Sequence, residues 1–258
     1  MKNQIENADR FGKLHVKGDP LIIFNVWDAG TAKAAEEIGA KAIATGSYAV
    51  ALANGFDDGE KMPLDLVLAN LTRIISSVDL PVSLDFEGGY SRDQDRLAEN
   101  IRKVIDAGAI GINFEDRIVE GGGLYGIEEQ AARISAIRKS AEASDVPLFI
   151  NARSDVVLPL ETSTHNELHL EQLIERSQAY AEAGANGFFA PGLVDPVLVG
   201  KLCDASPLPV NILVWPGLPS TSEFADLGVA RISYGSGSYT ATIDAFKTAG
   251  QNALEWRQ

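Results

Sequence analysis

The chain has 258 residues, of which 45% are apolar and 22% charged, and its formal net charge is −14 at pH 7. This acidic balance argues against binding to nucleic acid or to anionic membranes, and no apolar run approaches the ~20 residues that span a bilayer. Residues 1–7 lack the apolar core and cleavage site of a signal peptide, and the single cysteine excludes an internal disulfide framework. We therefore expect a cytoplasmic protein with a small-molecule partner.

Eight short apolar segments along the chain are predicted to be buried β-strands, and amphipathic helices separate them. The helices have a period of 3.6, as in the stripe of Val67, Leu71, Ile74 and Val78. One further helix precedes the first strand, and a longer helix follows Ser238. The predicted strands are residues 21–26, 41–45, 82–86, 111–114, 148–152, 187–190, 210–214 and 231–234.

Two kinds of boundary residue, a glycine and a proline, alternate between these segments. A glycine that supplies a left-handed residue at a helix end precedes the even-numbered strands, and a proline opens the odd-numbered strands, where no ladder donor is missed. The glycines are Gly39, Gly108, Gly184 and Gly228, and the prolines are Pro81, Pro147 and Pro209. Eight uninterrupted strand–helix units predict an α/β protein with one domain, residues 1–258, folded as a (β/α)8 TIM barrel.

Acidic side chains follow two neighbouring strands of this barrel. Asp85 and Glu87 end the third strand region, and Glu115 ends the fourth. Alternate residues of a strand point the same way, and functional residues of such barrels gather at the C-terminal strand ends, so we expect the three carboxylates to converge. A cluster of this kind is costly to bury without a cation, and its hard oxygen atoms suit Mg²⁺. The alternative is that each acid caps a helix or pairs with a nearby arginine.

Polar residues at other strand ends are candidate substrate ligands. Arg153 follows the fifth strand and can grip a carboxylate bidentately, unless an ion pair with Asp155 or with the acidic cluster occupies it. Gly46-Ser47-Tyr48 follows the second strand and either offers backbone N–H groups to an anion or forms a plain tight turn. Asn211, at the seventh strand, is a further polar candidate.

The long connection after the second strand, from Ala49 to Met62, contains Asp57-Asp58-Gly59. A loop of this length on a compact barrel is usually functional or mobile. Asp-Gly is also a common turn pair, so both interpretations of Asp58 stay open on the local pattern.

Three other features receive no functional assignment. His165 and His169 lie four residues apart, but no third ligand for a zinc ion is evident. Cys203 falls on a helical core pattern away from the functional end of the barrel. Residues 235–238 stand where many barrels bind phosphate, but no lysine or arginine accompanies them.

The motifs at the strand ends resemble those of the isocitrate lyase/phosphoenolpyruvate mutase superfamily over nearly the whole chain. Leu84–Tyr90 is similar to the family's Asp-x-Asp-x-Gly-Tyr motif, and Phe114-Glu115-Asp116 is similar to its next acidic segment. Asn151–Asp155 resembles the family's Ala-Arg-(Thr/Val)-(Asp/Glu) stretch, and Gly55–Asp58 resembles the Gly-x-x-Asp of its gating loop.

This resemblance implies a metal site and a way of binding substrate. The implied ligands of a Mg²⁺ cofactor, some of them acting through water, are Asp85, Glu87 and Glu115. Asp58 would approach the substrate or the metal when its loop closes, and Arg153 with the backbone of Gly46 and Ser47 would bind the carboxylate of a 2-oxo acid. The resemblance also implies a homotetramer in which the C-terminal helix is swapped onto a neighbouring subunit.

Three features depart from the family's pattern. Glu87 stands where the family usually has Asp. The loop from Asp116 to Tyr125 contains neither the Lys-(Lys/Arg)-Cys-Gly-His of the isocitrate and methylisocitrate lyases nor the Lys-Thr-Asn-Ser of the phosphonate mutases. Pro191 also stands where the mutases have a histidine. The chain therefore most resembles the branch of the family that acts on simple 2-oxo acids.

We therefore predict a Mg²⁺-dependent carbon–carbon lyase that acts on a small 2-oxo or 2-hydroxy carboxylic acid through a metal-stabilised enolate. The residues assigned to substrate binding are Gly46, Ser47, Tyr48, Asp85, Arg153 and Asn211, and those assigned to catalysis are Asp58, Arg153 and Tyr48. Glu120 and Tyr125 are further proton-transfer candidates by position.

Three alternatives to this lyase stay open. They are a phosphonopyruvate or phosphoenolpyruvate mutase or hydrolase, an oxaloacetate-decarboxylase-like enzyme, and a non-catalytic 2-oxo-acid binding protein. The missing loop lysine and asparagine disfavour the mutase, and the acidic triad favours an enzyme over a binding protein.

Overall fold

The computed structural model describes residues 2–255, in which strands and helices alternate along the chain. The strands are β1 Leu21–Ile23, β2 Ile43–Ala44, β3 Val82–Asp85, β4 Gly111–Glu115, β5 Phe149–Arg153, β6 Gly187–Phe189, β7 Val210–Leu213 and β8 Arg231–Ser233. The helices are α1 Lys2–Lys13, α2 Ala29–Glu37, α3 Ser47–Ala53, α4 Leu64–Ile75, α5 Gln94–Asp106, α6 Ile127–Ala143, α7 Glu167–Glu182, α8 Pro196–Ala205, α9 Thr221–Asp226 and α10 Gly237–Glu255. A 3₁₀ turn, Thr162–Thr164, precedes α7.

The eight strands are parallel and form one sheet in the order β1-β8-β7-β6-β5-β4-β3-β2. A parallel bridge between Val26 and Thr45 joins the chain just past β1 to the chain just past β2, which are the two end strands. The sheet is therefore a nearly closed barrel, and the predicted (β/α)8 fold is confirmed.

Each predicted strand is present, but several are shorter than predicted. The second strand, predicted over residues 41–45, spans only Ile43–Ala44. The first strand was predicted to reach Val26 and ends at Ile23. The reason lies in Asn25, whose side-chain oxygen accepts the backbone N–H groups of Tyr234 and Gly235 at 3.2 and 2.8 Å. The Tyr234 N–H also donates to the Ile23 carbonyl oxygen at 3.1 Å, which is the last bond of the regular ladder. For Gly235 the Asn25 side chain takes the place of a backbone acceptor, so the ladder ends early. The four glycines of the repeat all have positive φ, as predicted, at 90°, 102°, 101° and 87°.

Helix α1 closes the amino-terminal end of the barrel, and the predicted helix before the first strand is confirmed. Phe11 of this helix packs edge-on against Phe149 of β5, with ring centroids 5.2 Å apart. His15, just after the helix, stacks on the same Phe149 ring at 4.1 Å. An aromatic layer thus seals this end, and the open end is the carboxyl end of the strands.

Helix α10, by contrast, packs little against its own barrel. Ser238 is its only buried residue, and Phe246 and Leu254 are 75% and 83% exposed. On the outside of the barrel, Ile22 and Phe24 are 41% and 47% exposed. An apolar barrel face and an apolar helix face are therefore both left open to solvent in the isolated chain. Within residues 2–255 no helix combines the length and apolar character that crossing a membrane requires.

Candidate active site

Three acidic side chains lie at the carboxyl ends of β3 and β4, at the open end of the barrel. Asp85 is the last residue of β3, Glu115 is the last residue of β4, and Glu87 follows β3 by two residues. Glu87 and Glu115 are buried and Asp85 is half-buried. The charges of these carboxylates act on one another, so the fold brings the three predicted acids into one cluster.

Burial and mutual repulsion disfavour the charged state of this cluster. Burial and the neighbouring carboxylates of Asp85 and Asp58 raise the pKa of Glu87 to about 8. Burial raises the pKa of Glu115 to about 8 and also raises the pKa of Asp85, although the guanidinium of Arg153 opposes both shifts. Carboxylates perturbed in this way are typical of sites in which a cation or a substrate completes the charge balance.

Arg153, the last residue of β5, is the cation of the cluster, and two acids hold it. Its Nη1 atom forms an ion pair with Oε2 of Glu115 at 3.0 Å. Its Nε and Nη2 atoms donate hydrogen bonds to the two carboxylate oxygens of Asp155 at 2.6 and 2.8 Å. Although burial acts to lower the pKa of Arg153, these two carboxylates raise it above its usual value. The ion-pair alternative is therefore present in this structure, and a substrate would meet the N–H groups that these acids leave free.

Asp85 has one carboxylate oxygen engaged by the chain and one without a partner. Its Oδ2 accepts a hydrogen bond from the backbone N–H of Ser47 at 3.0 Å, so the first amide of α3, which follows Gly46, fixes the carboxylate. The backbone N–H of Asp85 donates to Oγ1 of Thr45 at 2.9 Å. Oδ1 is buried and makes no hydrogen bond to any residue between 2 and 255. A buried carboxylate oxygen without a protein partner suits a direct metal ligand.

The donor set fits a hydrated Mg²⁺ ion. Within the described part of the chain, no three His, Cys, Asp or Glu side chains converge closely enough to ligate one ion directly. Both oxygens of Glu87 accept hydrogen bonds, from the Glu60 N–H at 2.8 Å and from the Tyr90 hydroxyl at 3.1 Å, and Oε2 of Glu115 faces the guanidinium. Mg²⁺ keeps several waters and needs only one or two protein carboxylates. Asp85, with its neighbours acting through water, supplies such a set.

The loop between α3 and α4, residues 54–63, reaches the acidic cluster. Asp58 is exposed, but its charge contributes to the raised pKa values of Asp85 and Glu87, which places it near both carboxylates. Asp57 is exposed as well. A catalytic role for Asp58 stays a prediction.

Glu60 is a residue of this site that the sequence analysis missed. Its Oε1 accepts a hydrogen bond from the backbone N–H of Tyr90 at 2.7 Å, and its own N–H donates to Glu87. Burial raises the pKa of Glu60. The Asp-Asp-Gly-Glu segment indicates an acidic turn, but it carries no signal for which of its acids faces inward.

The three proton-transfer candidates have different surroundings. Tyr48 is 41% exposed and lies edge-on to Tyr239, with ring centroids 6.4 Å apart. Glu120 is exposed in the glycine-rich loop between β4 and α6. Tyr125 is buried, and the guanidinium of Arg133 covers its ring at 4.3 Å. Tyr48 and Glu120 are thus accessible to a ligand, whereas Tyr125 has the environment of a packing residue.

Asn211 lies inside the barrel, in a layer of amide side chains. Its Oδ1 accepts hydrogen bonds from Nδ2 of Asn151 at 3.0 Å and from Oγ of Ser233 at 3.2 Å. Nδ2 of Asn151 also donates to Oδ1 of Asn113 at 2.9 Å. Asn211 is 1% exposed, and its Nδ2 is bonded to backbone oxygens of β7 and β8. A substrate contact with Asn211 stays a prediction. It would require the substrate to replace one of the present hydrogen-bond partners of the Asn211 side chain.

The features without a functional assignment have ordinary surroundings. The rings of His165 and His169 meet edge-to-face with centroids 6.2 Å apart, and Nε2 of His165 lies 3.2 Å from the Val157 carbonyl oxygen. Cys203 is a free, buried thiol whose pKa is raised by burial to about 12. A thiol with so high a pKa is a poor nucleophile at neutral pH.

Comparison with known proteins assigns the family. A family profile described as phosphoenolpyruvate phosphomutase matches residues 11–254. A 2-methylisocitrate lyase of Escherichia coli is 30% identical over 237 residues, which cover 87% of this chain and 77% of the lyase. The chain therefore belongs to the isocitrate lyase/phosphoenolpyruvate mutase superfamily, and the predicted resemblance is confirmed. Relatives with named activities include 2-methylisocitrate lyases and oxaloacetate decarboxylases, such as one of Pseudomonas entomophila that is 27% identical over 249 residues.

Two other proteins have a higher sequence identity to this chain, and neither has an established activity. An uncharacterised protein of Mycobacterium tuberculosis is 33% identical over 248 residues, which cover 96% of this chain and 90% of that protein. The crystal structure of a candidate phosphonomutase from Burkholderia cenocepacia has a TM-score of 0.95 and 44% sequence identity, and the match covers 97% of this chain and 99% of the other.

Proposed function

We propose that this protein is a Mg²⁺-dependent carbon–carbon lyase that acts on a small 2-oxo or 2-hydroxy carboxylic acid. The observation that carries the proposal is the buried Oδ1 of Asp85, which has no hydrogen-bond partner within residues 2–255 and lies beside the Glu115–Arg153–Asp155 ion-pair group. The relationship to the Escherichia coli 2-methylisocitrate lyase supports carbon–carbon cleavage. Bound Mg²⁺ would supply the charge that stabilises an enolate as the adjacent bond breaks.

The residues of the chain would hold this metal and orient the acid. Asp85 would hold Mg²⁺ directly, and Glu87 and Glu115 would hold it through water. The free N–H groups of Arg153 would bind the substrate carboxylate and orient it for cleavage. Closure of the loop that carries Asp58 would exclude water from the site.

Two exposed residues are the candidates to move the proton. Tyr48 lies at the open end of the barrel on the first turn of α3, beside the Ser47 amide that fixes Asp85. Glu120 lies on the glycine-rich loop where the methylisocitrate lyases carry a different motif. We assign the transfer to Tyr48, because the first turn of a packed helix holds a side chain more firmly than a glycine-rich loop does.

A decarboxylase acting on oxaloacetate or a similar acid is the second candidate. Decarboxylation needs the enolate-stabilising half of the site and no cysteine acid in the loop. In this chain the loop from Asp116 to Tyr125 contains no cysteine, and Tyr125 is packed beneath Arg133. Release of CO₂ without a second organic product would distinguish this activity from carbon–carbon cleavage into two acids.

Thermal unfolding with a panel of small 2-oxo acids, each with and without Mg²⁺, tests the proposal. A ligand that binds the native state alone adds about 2.7 kcal/mol at a hundredfold excess over its Kd. In the wild type and in the control Asp57→Ala, we expect one acid to raise the Tm when Mg²⁺ is present and not when it is absent. In Asp85→Ala we expect no rise in either condition. The stabilising acid then names the product to seek in lyase assays. No shift with any acid would contradict the proposal.

We also propose that the protein is a homotetramer in the cytoplasm, in which α10 is swapped onto the barrel of a neighbouring copy. The exposed Ile22 and Phe24 and the exposed Phe246 support this exchange, because each chain then covers the apolar face that its neighbour leaves open. Light scattering should give four chains for the wild type and a smaller species for Phe246→Asp. A monomeric wild type would contradict the proposal.

A further inference from the structure

Left-handed backbone conformations gather at one place in this structure. Within residues 2–255, four residues other than glycine have positive φ: Glu60 at 57°, Glu87 at 50°, Tyr90 at 59° and Asp145 at 54°. Such conformations are unfavourable for side chains larger than hydrogen, and they persist where the surroundings hold them. Glu60, Glu87 and Tyr90 lie on two different loops, yet they contact one another.

Hydrogen bonds join these three residues in a ring. The Glu60 N–H donates to Oε2 of Glu87 at 2.8 Å, and the Tyr90 N–H donates to Oε1 of Glu60 at 2.7 Å. The Tyr90 hydroxyl donates to Oε1 of Glu87 at 3.1 Å and completes the ring. The bonds made by Glu60 span 27 and 30 residues of sequence, so they tie the 54–63 loop to the turn after β3.

A third loop, between β4 and α6, packs on this junction. A Cβ atom added at Gly88 would lie 3.1 Å from Oε1 of Glu60 and 3.2 Å from Cγ2 of Val119, and one added at Gly59 would lie 3.7 Å from Cγ1 of Val119. The absence of a side chain at Gly88 therefore lets Glu60 and Val119 approach the turn closely. The three loops meet above the carboxyl end of β3, where Asp85 lies.

We propose that Glu60 is the latch that holds the 54–63 loop closed over the acidic site, and that Glu87 is the residue that receives it. In this arrangement Oε2 of the longer Glu87 side chain bonds to the loop and Oε1 bonds to Tyr90 of its own turn, and Asp58 is held two residues from the latch. Glu60 is thus a positioning residue. The inference rests on the proposed lyase function only where it says that the closed loop covers a lyase site. The latch itself is defined by these contacts alone.

Amide hydrogen exchange of the 54–63 segment tests the latch without any substrate. Glu60→Ala removes the acceptor for the Tyr90 N–H, so we expect exchange in this segment to rise about fivefold or more, the effect of losing one hydrogen bond from a local opening equilibrium. Glu60→Gln keeps an acceptor oxygen and should stay within twofold of the wild type. Asp57→Ala, on the same loop, is the matched control and should also stay within twofold. Exchange in the core strands should be unchanged in all three variants.

A second variant tests the same contact from the other side. Gly88→Ala places a methyl group against Glu60 and Val119, so it should also speed exchange in the 54–63 segment, while Glu60→Ala in the same chain should remove most of this extra effect. Unchanged exchange in Glu60→Ala, or equal acceleration in Glu60→Gln and Glu60→Ala, would overturn the proposal. These readouts do not depend on turnover. A protein without lyase activity but with a Glu60-dependent loop would therefore contradict the lyase proposal and leave the latch standing.

Discussion

Asp116, in the loop after β4, and Asp85, at the end of β3, show how a structural carboxylate differs from an available one. Asp116 is completely buried, and both of its oxygens are engaged: Oδ1 by the Asp155 N–H, and Oδ2 by Arg176 and by the Tyr180 hydroxyl, each at 2.9 Å. Asp85 is less buried, and its Oδ1 has no hydrogen-bond partner in the part of the chain that the structure describes. The chain thus engages both oxygens of Asp116 but only one oxygen of Asp85. We therefore expect Asp85, and not Asp116, to take part in metal or substrate binding.

Substitution of these two acids should give the largest difference in the free energy of unfolding. Asp116→Ala leaves the buried Arg176 without its carboxylate, so we expect a loss of about 3–5 kcal/mol in the free energy of unfolding. Asp85→Ala removes a carboxylate that burial disfavours, so the change should stay within about 1 kcal/mol. Urea unfolding measures both values. A loss in Asp85→Ala as large as that in Asp116→Ala would show that Asp85 is a structural acid.

Arg153 should have an intermediate effect, because it serves both kinds of acid. Arg153→Met keeps the bulk of the side chain but removes the positive charge from between Glu115 and Asp155. We expect a loss of about 2–3 kcal/mol in unfolding free energy, since two buried carboxylates lose their counter-charge. Arg96→Met is the matched control, because Arg96 makes an exposed pair with Glu99, and it should lose less than about 1 kcal/mol.

The pH dependence of stability tests whether the carboxylates of the site lack a counter-charge in the absence of metal. The pKa values of Glu87 and Glu115 are raised to about 8, so the folded protein binds protons that the unfolded chain has released above pH 5. Stability without metal should therefore fall as the pH rises from about 5 to about 8. Mg²⁺ compensates the carboxylate charges, so its stabilising effect should grow over the same range. Thermal unfolding across pH 5–9 checks both trends, and a Mg²⁺ effect that shrinks toward pH 8 would contradict them.

Tyr48→Phe should give the smallest change in stability. Its side chain is 41% exposed, so the free energy of unfolding should change by less than about 0.5 kcal/mol. If Tyr48 moves the proton, turnover should fall by about a hundredfold or more at unchanged stability. Equal turnover in Tyr48→Phe and the wild type would transfer this role to another residue, with Glu120→Gln as the next variant.

The fold could be predicted from the sequence because its signals are local. Each strand after the first follows a helix-ending glycine such as Gly39, or opens at a proline such as Pro81, and these residues act through their own backbone angles. The early end of β1 could not be predicted, because it depends on the Asn25 side chain meeting the chain after β8. That contact joins residues more than two hundred positions apart.

The site could be predicted only in part, for a related reason. That Asp85, Glu115 and Arg153 end neighbouring strands follows from the topology, once eight parallel strands are recognised. Whether Arg153 grips a ligand or Asp155 is a choice among rotamers, which no residue pattern encodes. Glu60 was missed because its contacts depend on the left-handed backbone of an acidic turn, and glutamate carries no preference for that conformation.

Metal binding at Asp85 is the central claim, and counting bound ions tests it most directly. Mn²⁺, a paramagnetic substitute for Mg²⁺, can be titrated at pH 8 into the wild type, Asp85→Ala and Asp57→Ala while electron paramagnetic resonance measures the free ion. We predict one bound ion per chain in the wild type and in Asp57→Ala, displaced by excess Mg²⁺, and none in Asp85→Ala at the same concentrations. Equal binding in Asp85→Ala and the wild type would contradict the account.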